Sequence, residues 1–223
     1  MPDTADLPPS RLQQYLRKRR THTPDESQIQ MLNPNAPNSP VYIVSDPAYA
    51  SASDLTGGAQ GVSFPQGMKA GDMLRSLTSP VGRQALMDVL HGKDPAIVPQ
   101  KNAWGPIQQH EMAHQVMGNA PSQLDPAAVR SLVPQQGYEN LVGLPGNEAP
   151  LAQAHQPGPY GYTPEGAQFE IPARLATEPE SLGLTPKTRA EALKRYQALL
   201  KSASPEVAAR YGKYLASLGL LEK

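Results

Sequence analysis

The sequence contains no cysteine. Disulfides, thiolate metal ligands and cysteine nucleophiles are thereby excluded. Aromatic residues are scarce, with two Phe and one Trp in 223 residues, so any hydrophobic core is modest. Charge of either sign is not in excess: Lys+Arg and Asp+Glu are both 20 and the formal net charge is zero. No long-range field therefore draws the chain to nucleic acid or to an anionic membrane. The local exception, Arg17-Lys18-Arg19-Arg20, reads as the solvated basic end of a helix. Long hydrophobic runs are missing too, so no membrane-spanning helix is expected. The first 30 residues carry Pro8-Pro9 and the basic run but no apolar h-region, which argues against a Sec signal peptide.

What the sequence does have is proline and glycine, at 25 and 18 residues. They punctuate the chain into short elements and many loops. Residues 1–40 read as an N-terminal extension, with a short helix from Ser10 to Arg20 followed by a Pro-rich linker. Val41-Tyr42-Ile43-Val44 is a β-branched run bounded by Pro40 and Asp46-Pro47 and predicts a strand; Gly61 to Phe64 and Ala96 to Val98 predict two more. Ser79-Pro80 opens a helix to about His91, with Val81, Ala85, Leu86, Val89 and Leu90 as its buried stripe. Further helices are expected from Pro106 to about Met117, from Asp125-Pro126 to about Val133, and around Phe169 to Ala176, with residues 134–165 as loop. The tail reads as a helical hairpin over 183–223: Thr185-Pro186 and Ser204-Pro205 open its two helices. Leu193, Tyr196 and Leu200 form one face, and Val207, Tyr211, Tyr214 and Leu218 the other.

One segment carries chemistry. His110-Glu111-Met112-Ala113-His114 matches H-E-x-x-H. Residues four apart share one helix face, so both imidazoles reach a single zinc ion, while Glu111 is turned by about 100° and lies beside the metal. There it can take a proton from a zinc-bound water. With five His and 11 Glu in the chain, chance supplies on the order of 0.005 such matches, so the pattern calls for an explanation. The ordinary alternative is a surface helix with incidental histidines. A hydrolytic zinc site also needs a third protein ligand. The metzincin extension would put glycine at 117 and histidine at 120, and Met117 and Ala120 exclude it. Asp125 is explained as a helix N-cap.

The chain resembles the gluzincin type of metallopeptidase, in particular the small minimal ones encoded by bacteria and phages. The resemblance rests on the H-E-x-x-H helix, on strands preceding it, and on Glu170 with Ala173 in Gln168-Phe169-Glu170-Ile171-Pro172-Ala173-Arg174. It covers roughly residues 41–180 and implies an α+β zincin-like domain over 41–182. A small twisted sheet would precede the H-E-x-x-H helix. A second helix would bring Glu170 as third zinc ligand, with a small residue three positions later to let the helices approach. Glu165, His155 and Glu139 are the alternatives for that ligand. Pro172 predicts that Glu170 sits at the start of its helix.

Candidate donors to an oxyanion are His155, Tyr160 and Tyr162, in the segment before Glu170; the tyrosines have the ordinary alternative of packing over the loop. Arg174 either orients a carboxylate or is exposed. The resulting expectation is a zinc peptidase acting on a peptide or protein, cytoplasmic or virion-associated. The competing expectation is a structural or interaction protein on the same scaffold, such as a virion component. The N-terminal extension or the terminal hairpin would then provide its docking surface.

Overall fold

The computed structural model describes residues 29–45, 61–64, 79–142 and 162–221. Strands β1 (Ile29–Asn33) and β2 (Ala36–Val44) form an antiparallel hairpin. Residues 29–40, expected as linker, thus form a strand, a two-residue turn and the start of a second strand. The prolines that disguised them have structural places. Pro34 lies in the turn, where the Asn33 side chain accepts a hydrogen bond from the Asn35 amide at 3.0 Å, the usual way asparagine closes a turn. Pro37 and Pro40 fall in the half of β2 that precedes its pairing with β4, so no ladder on that side needs their missing N–H.

β3 (Val62–Ser63) and β4 (Ala96–Pro99) complete a mixed four-stranded sheet in the order β1-β2-β4-β3. β2 and β4 run parallel, and β3 pairs antiparallel to β4. Val41 to Val44 are all buried because both faces of the sheet are covered. On one face Tyr42, Val44, Phe64 and Ile97 pack with Val81 and Ala85 of α1 (Pro80–Leu90). Ser79 caps α1 by accepting from the Gly82 amide. Its stripe is narrower than expected, since Leu90 is 63% exposed. On the opposite face Val41, Ala96 and Val98 pack with Met112 of α2 (Pro106–Met117).

α2 also belongs to the main core, which it shares with α5 (Pro164–Thr177) and with the hairpin of α6 (Pro186–Ala203) and α7 (Pro205–Ser217). The hairpin's tyrosine stripe is buried here: Tyr196 and Tyr211 meet edge-on at 5.4 Å between ring centres. A Thr185–Thr188 capping box starts α6, whereas Ser204 occupies the α7 cap position without a side-chain hydrogen bond. The helix expected to run to Val133 is shorter, α3 (Pro126–Arg130), and a further helix, α4 (Gln135–Val142), lies where loop was expected. Gly137 explains the misreading. A Cβ there would stand 2.1 Å from the Leu182 carbonyl oxygen, so the glycine that looked like a loop signal allows α4 to press on the turn Pro179–Leu182.

No helix among the described residues is long and apolar enough to cross a membrane.

Candidate metal centre

Gly105 and Pro106 start α2, and one helical turn later its inner face carries His110 and His114. The two Nε2 atoms converge to 3.0 Å. α5 begins at Thr163, whose hydroxyl accepts from the Gly166 amide, and packs against α2. Glu170 is the seventh residue of α5, not its first turn as Pro172 had implied, and Pro172 lies inside the helix. The carboxylate of Glu170 straddles the histidine pair: Oε2 is 3.2 Å from His110 Nε2 and Oε1 is 3.3 Å from His114 Nε2.

These separations provide a test of fit. Three ligand atoms at about 2.0–2.1 Å from one tetrahedral ion would lie about 3.3 Å apart. The two Nε2 atoms, 3.0 Å apart, approach that spacing, and each has its own Glu170 oxygen at a similar distance, Oε2 at 3.2 Å from His110 and Oε1 at 3.3 Å from His114. The hydrogen bonding agrees. Glu170 Oε2 is buried and receives no hydrogen bond of acceptable geometry among the described residues. A buried carboxylate oxygen is costly unless positive groups balance it, and the groups facing this one are His110 Nε2 at 3.2 Å and Arg174 Nε at 3.4 Å. His110 Nδ1 lies 3.4 Å from Thr177 Oγ1, whose own proton goes to the Ala173 carbonyl. Thr177 therefore accepts from Nδ1–H, which leaves the Nε2 lone pair free to ligate. His110, His114 and Glu170 can hold a metal ion.

No family model, curated protein or solved structure matches this chain.

Around the three candidate ligands the electrostatics are polarised. Burial pushes the Glu170 carboxyl up, but His110 and His114 outweigh it and hold the group well below the usual carboxylate range. Glu111 is raised, chiefly by burial, with Glu170 adding to it and the two histidines opposing. A buried carboxylate with elevated basicity is suited to accept a proton. The edge strand closes over it. Gly61 is packed so tightly that a Cβ would meet Glu111 Cγ and Oε1 at 3.0 Å, and the Ser63 side chain hydrogen-bonds the Glu111 carboxylate.

Arg174, one turn beyond Glu170, is buried rather than exposed. Its Nε is 3.4 Å from Glu170 Oε2, and its Nη1 pairs with Glu178 at 2.8 Å. Tyr162 also reaches the site and hydrogen-bonds Arg174; burial first, then the charge of Glu170, pushes its phenol up to about 12. It stays a donor at neutral pH. His155 and Tyr160 lie outside the described residues. Of the other ligand candidates, Glu165 is exposed and Glu139 accepts from Gln135 at 2.6 Å; neither joins the cluster.

Four contributors had no local signal in the sequence: Thr177, Ser63, and the amides Asn33 and Gln115. Gln115 donates to the carbonyls of Pro40 and Asp94 and accepts from Asn33 at 3.1 Å, tying α2 to β1, β2 and the approach to β4. Only Thr177 carries a retrospective clue, as it follows Glu170 by two helical turns and so shares its face.

Proposed function

We propose that the protein is a zinc-dependent peptidase of zincin-like fold, with zinc held by His110, His114 and Glu170 and with Glu111 as general base. The observation that carries this reading is the convergence of two imidazole nitrogens and one carboxylate, with nearest contacts of 3.0, 3.2 and 3.3 Å, beside a buried glutamate of raised pKa. A two-histidine, one-carboxylate set is a usual catalytic zinc ligation. When bound, zinc supplies Lewis acidity that polarises a peptide carbonyl and makes water a stronger acid. Glu111 accepts the proton of the attacking water and returns it to the leaving amine. Tyr162 donates a hydrogen bond toward the oxygen that gains negative charge, and Arg174 fixes Tyr162 and Glu170 together.

The sheet supports a peptide as substrate. Among the described residues β3 is an edge strand, and it lies on Glu111. An extended chain added to that edge would bring its carbonyls past the base. The order of elements, a sheet, then the H-E-x-x-H helix, then a second helix bearing Glu170, is also what the gluzincin resemblance implies.

Glu111→Gln is the direct test. It is expected to bind zinc as the wild type does while peptide hydrolysis falls by about 10²- to 10⁴-fold. Undiminished turnover would remove Glu111 from the role.

A further inference from the structure

Two tyrosines of α7 touch the two helices that carry the metal ligands. Tyr214 donates its hydroxyl to the Gln109 carbonyl at 2.6 Å, one residue before His110. Tyr211 donates to the Pro172 carbonyl at 2.8 Å, two residues after Glu170. They are three residues apart on one helix, hence on the same face, and their rings lie 6.2 Å apart. Both side chains are buried. One rigid helix thus grips α2 beside one ligand and α5 beside another.

α5 needs such a grip. Pro172 has no N–H, so the ladder bond to the Gln168 carbonyl is lost two residues from Glu170. The helix is held from outside instead. The Gln168 side chain donates to the Pro121 and Leu124 carbonyls at 2.8 Å each, and Tyr211 holds the opposite flank of the interruption. The distance between the histidine pair and Glu170 is therefore set by contacts of the C-terminal hairpin as well as by α2–α5 packing.

We infer that Tyr211 and Tyr214 are positioning residues for the metal centre, fixing through their hydroxyls the separation of the His110/His114 helix from the Glu170 helix. This rests on the metal-centre reading above and assigns the hairpin a function within it. The stripe supplies its own control. Tyr196 is equally buried, but among the described residues its hydroxyl meets the Met117 side chain, at Sδ 3.4 Å away, and no backbone carbonyl.

The experiment compares Tyr211→Phe, Tyr214→Phe and their double variant with Tyr196→Phe and wild type. Zinc dissociation constants come from chelator competition, and the visible spectrum of the cobalt-substituted protein reports ligand geometry. Each of the first two variants is expected to lose about tenfold in affinity, as when an outer-shell contact is removed. The double variant should lose more and show a shifted cobalt spectrum, while Tyr196→Phe keeps the wild-type values. Wild-type affinity and spectrum in the double variant, or an equal loss in Tyr196→Phe, overturn the inference. Should the wild type take up no metal, the peptidase reading fails on its own. The strut is then read from amide exchange in α2 and α5: faster exchange in the double variant upholds it, and unchanged exchange rejects it.

Discussion

Thr177 shows how much of the centre depends on single side chains outside the ligand set. Its hydroxyl is oriented by the Ala173 carbonyl, so it presents lone pairs to His110 Nδ1. That contact selects the tautomer whose Nε2 faces Glu170 and His114. Thr177→Val keeps the shape and removes the acceptor. Zinc affinity is expected to fall about tenfold, read by chelator competition, with little change in the far-UV spectrum. An unchanged affinity would mean that His110 is oriented by α2 alone. The same scale separates what the sequence disclosed from what it withheld. His110, Glu111 and His114 stand on one helix and are legible through the 3.6-residue period. Ser63 acts across space, where local patterning is silent, and the burial of Arg174, four residues after Glu170, decides between the two roles its position allowed.

At the scale of elements, proline and glycine account for most of the differences between expectation and structure. Pro34, Pro37 and Pro40 made the β1–β2 hairpin look like linker, although Asn33-Pro34-Asn35 closes a turn. Pro172 placed Glu170 at a helix start, although the helix runs from Pro164 to Thr177. Outside contacts to Gln168 and Tyr211 offset the missing ladder bond. Gly137 concealed α4, and here two effects compete. In an exposed helix interior Gly→Ala stabilises by about 1 kcal/mol. At Gly137 the added carbon would lie 2.1 Å from the backbone oxygen of Leu182, which cannot swing away as a side chain would. The clash prevails. Gly137→Ala is expected to destabilise by about 1–3 kcal/mol in thermal or denaturant unfolding, while zinc affinity stays within about twofold. A stabilised variant would show that α4 and the turn at Pro179–Leu182 are not held at this distance.

Across the whole molecule α2 is the shared member. Met112 packs on the sheet cluster and also on the main core, and Gln115 donates to the carbonyls of Pro40 in β2 and of Asp94 just before β4. His110 and His114 thus sit where sheet and helices meet. The C-terminal hairpin is folded back on α2 and α5 with its tyrosines inside. That arrangement depends on contacts such as Tyr214 to Gln109, 105 positions apart, which no local reading reveals. The α+β character and most helix starts were legible because Ser-Pro, Asp-Pro and Thr-Pro pairs mark them. The joining of Glu170 to the histidines was approached through a family resemblance, and its geometry comes from packing of α5 on α2.

The most direct test is the zinc content of purified protein after exposure to zinc and removal of excess, wild type beside Glu170→Ala and His110→Ala. One zinc per wild-type chain and close to none in either variant is the expected result, since each variant loses one of three proposed ligands. Zinc retained in Glu170→Ala, or a wild type that takes up none, would contradict it.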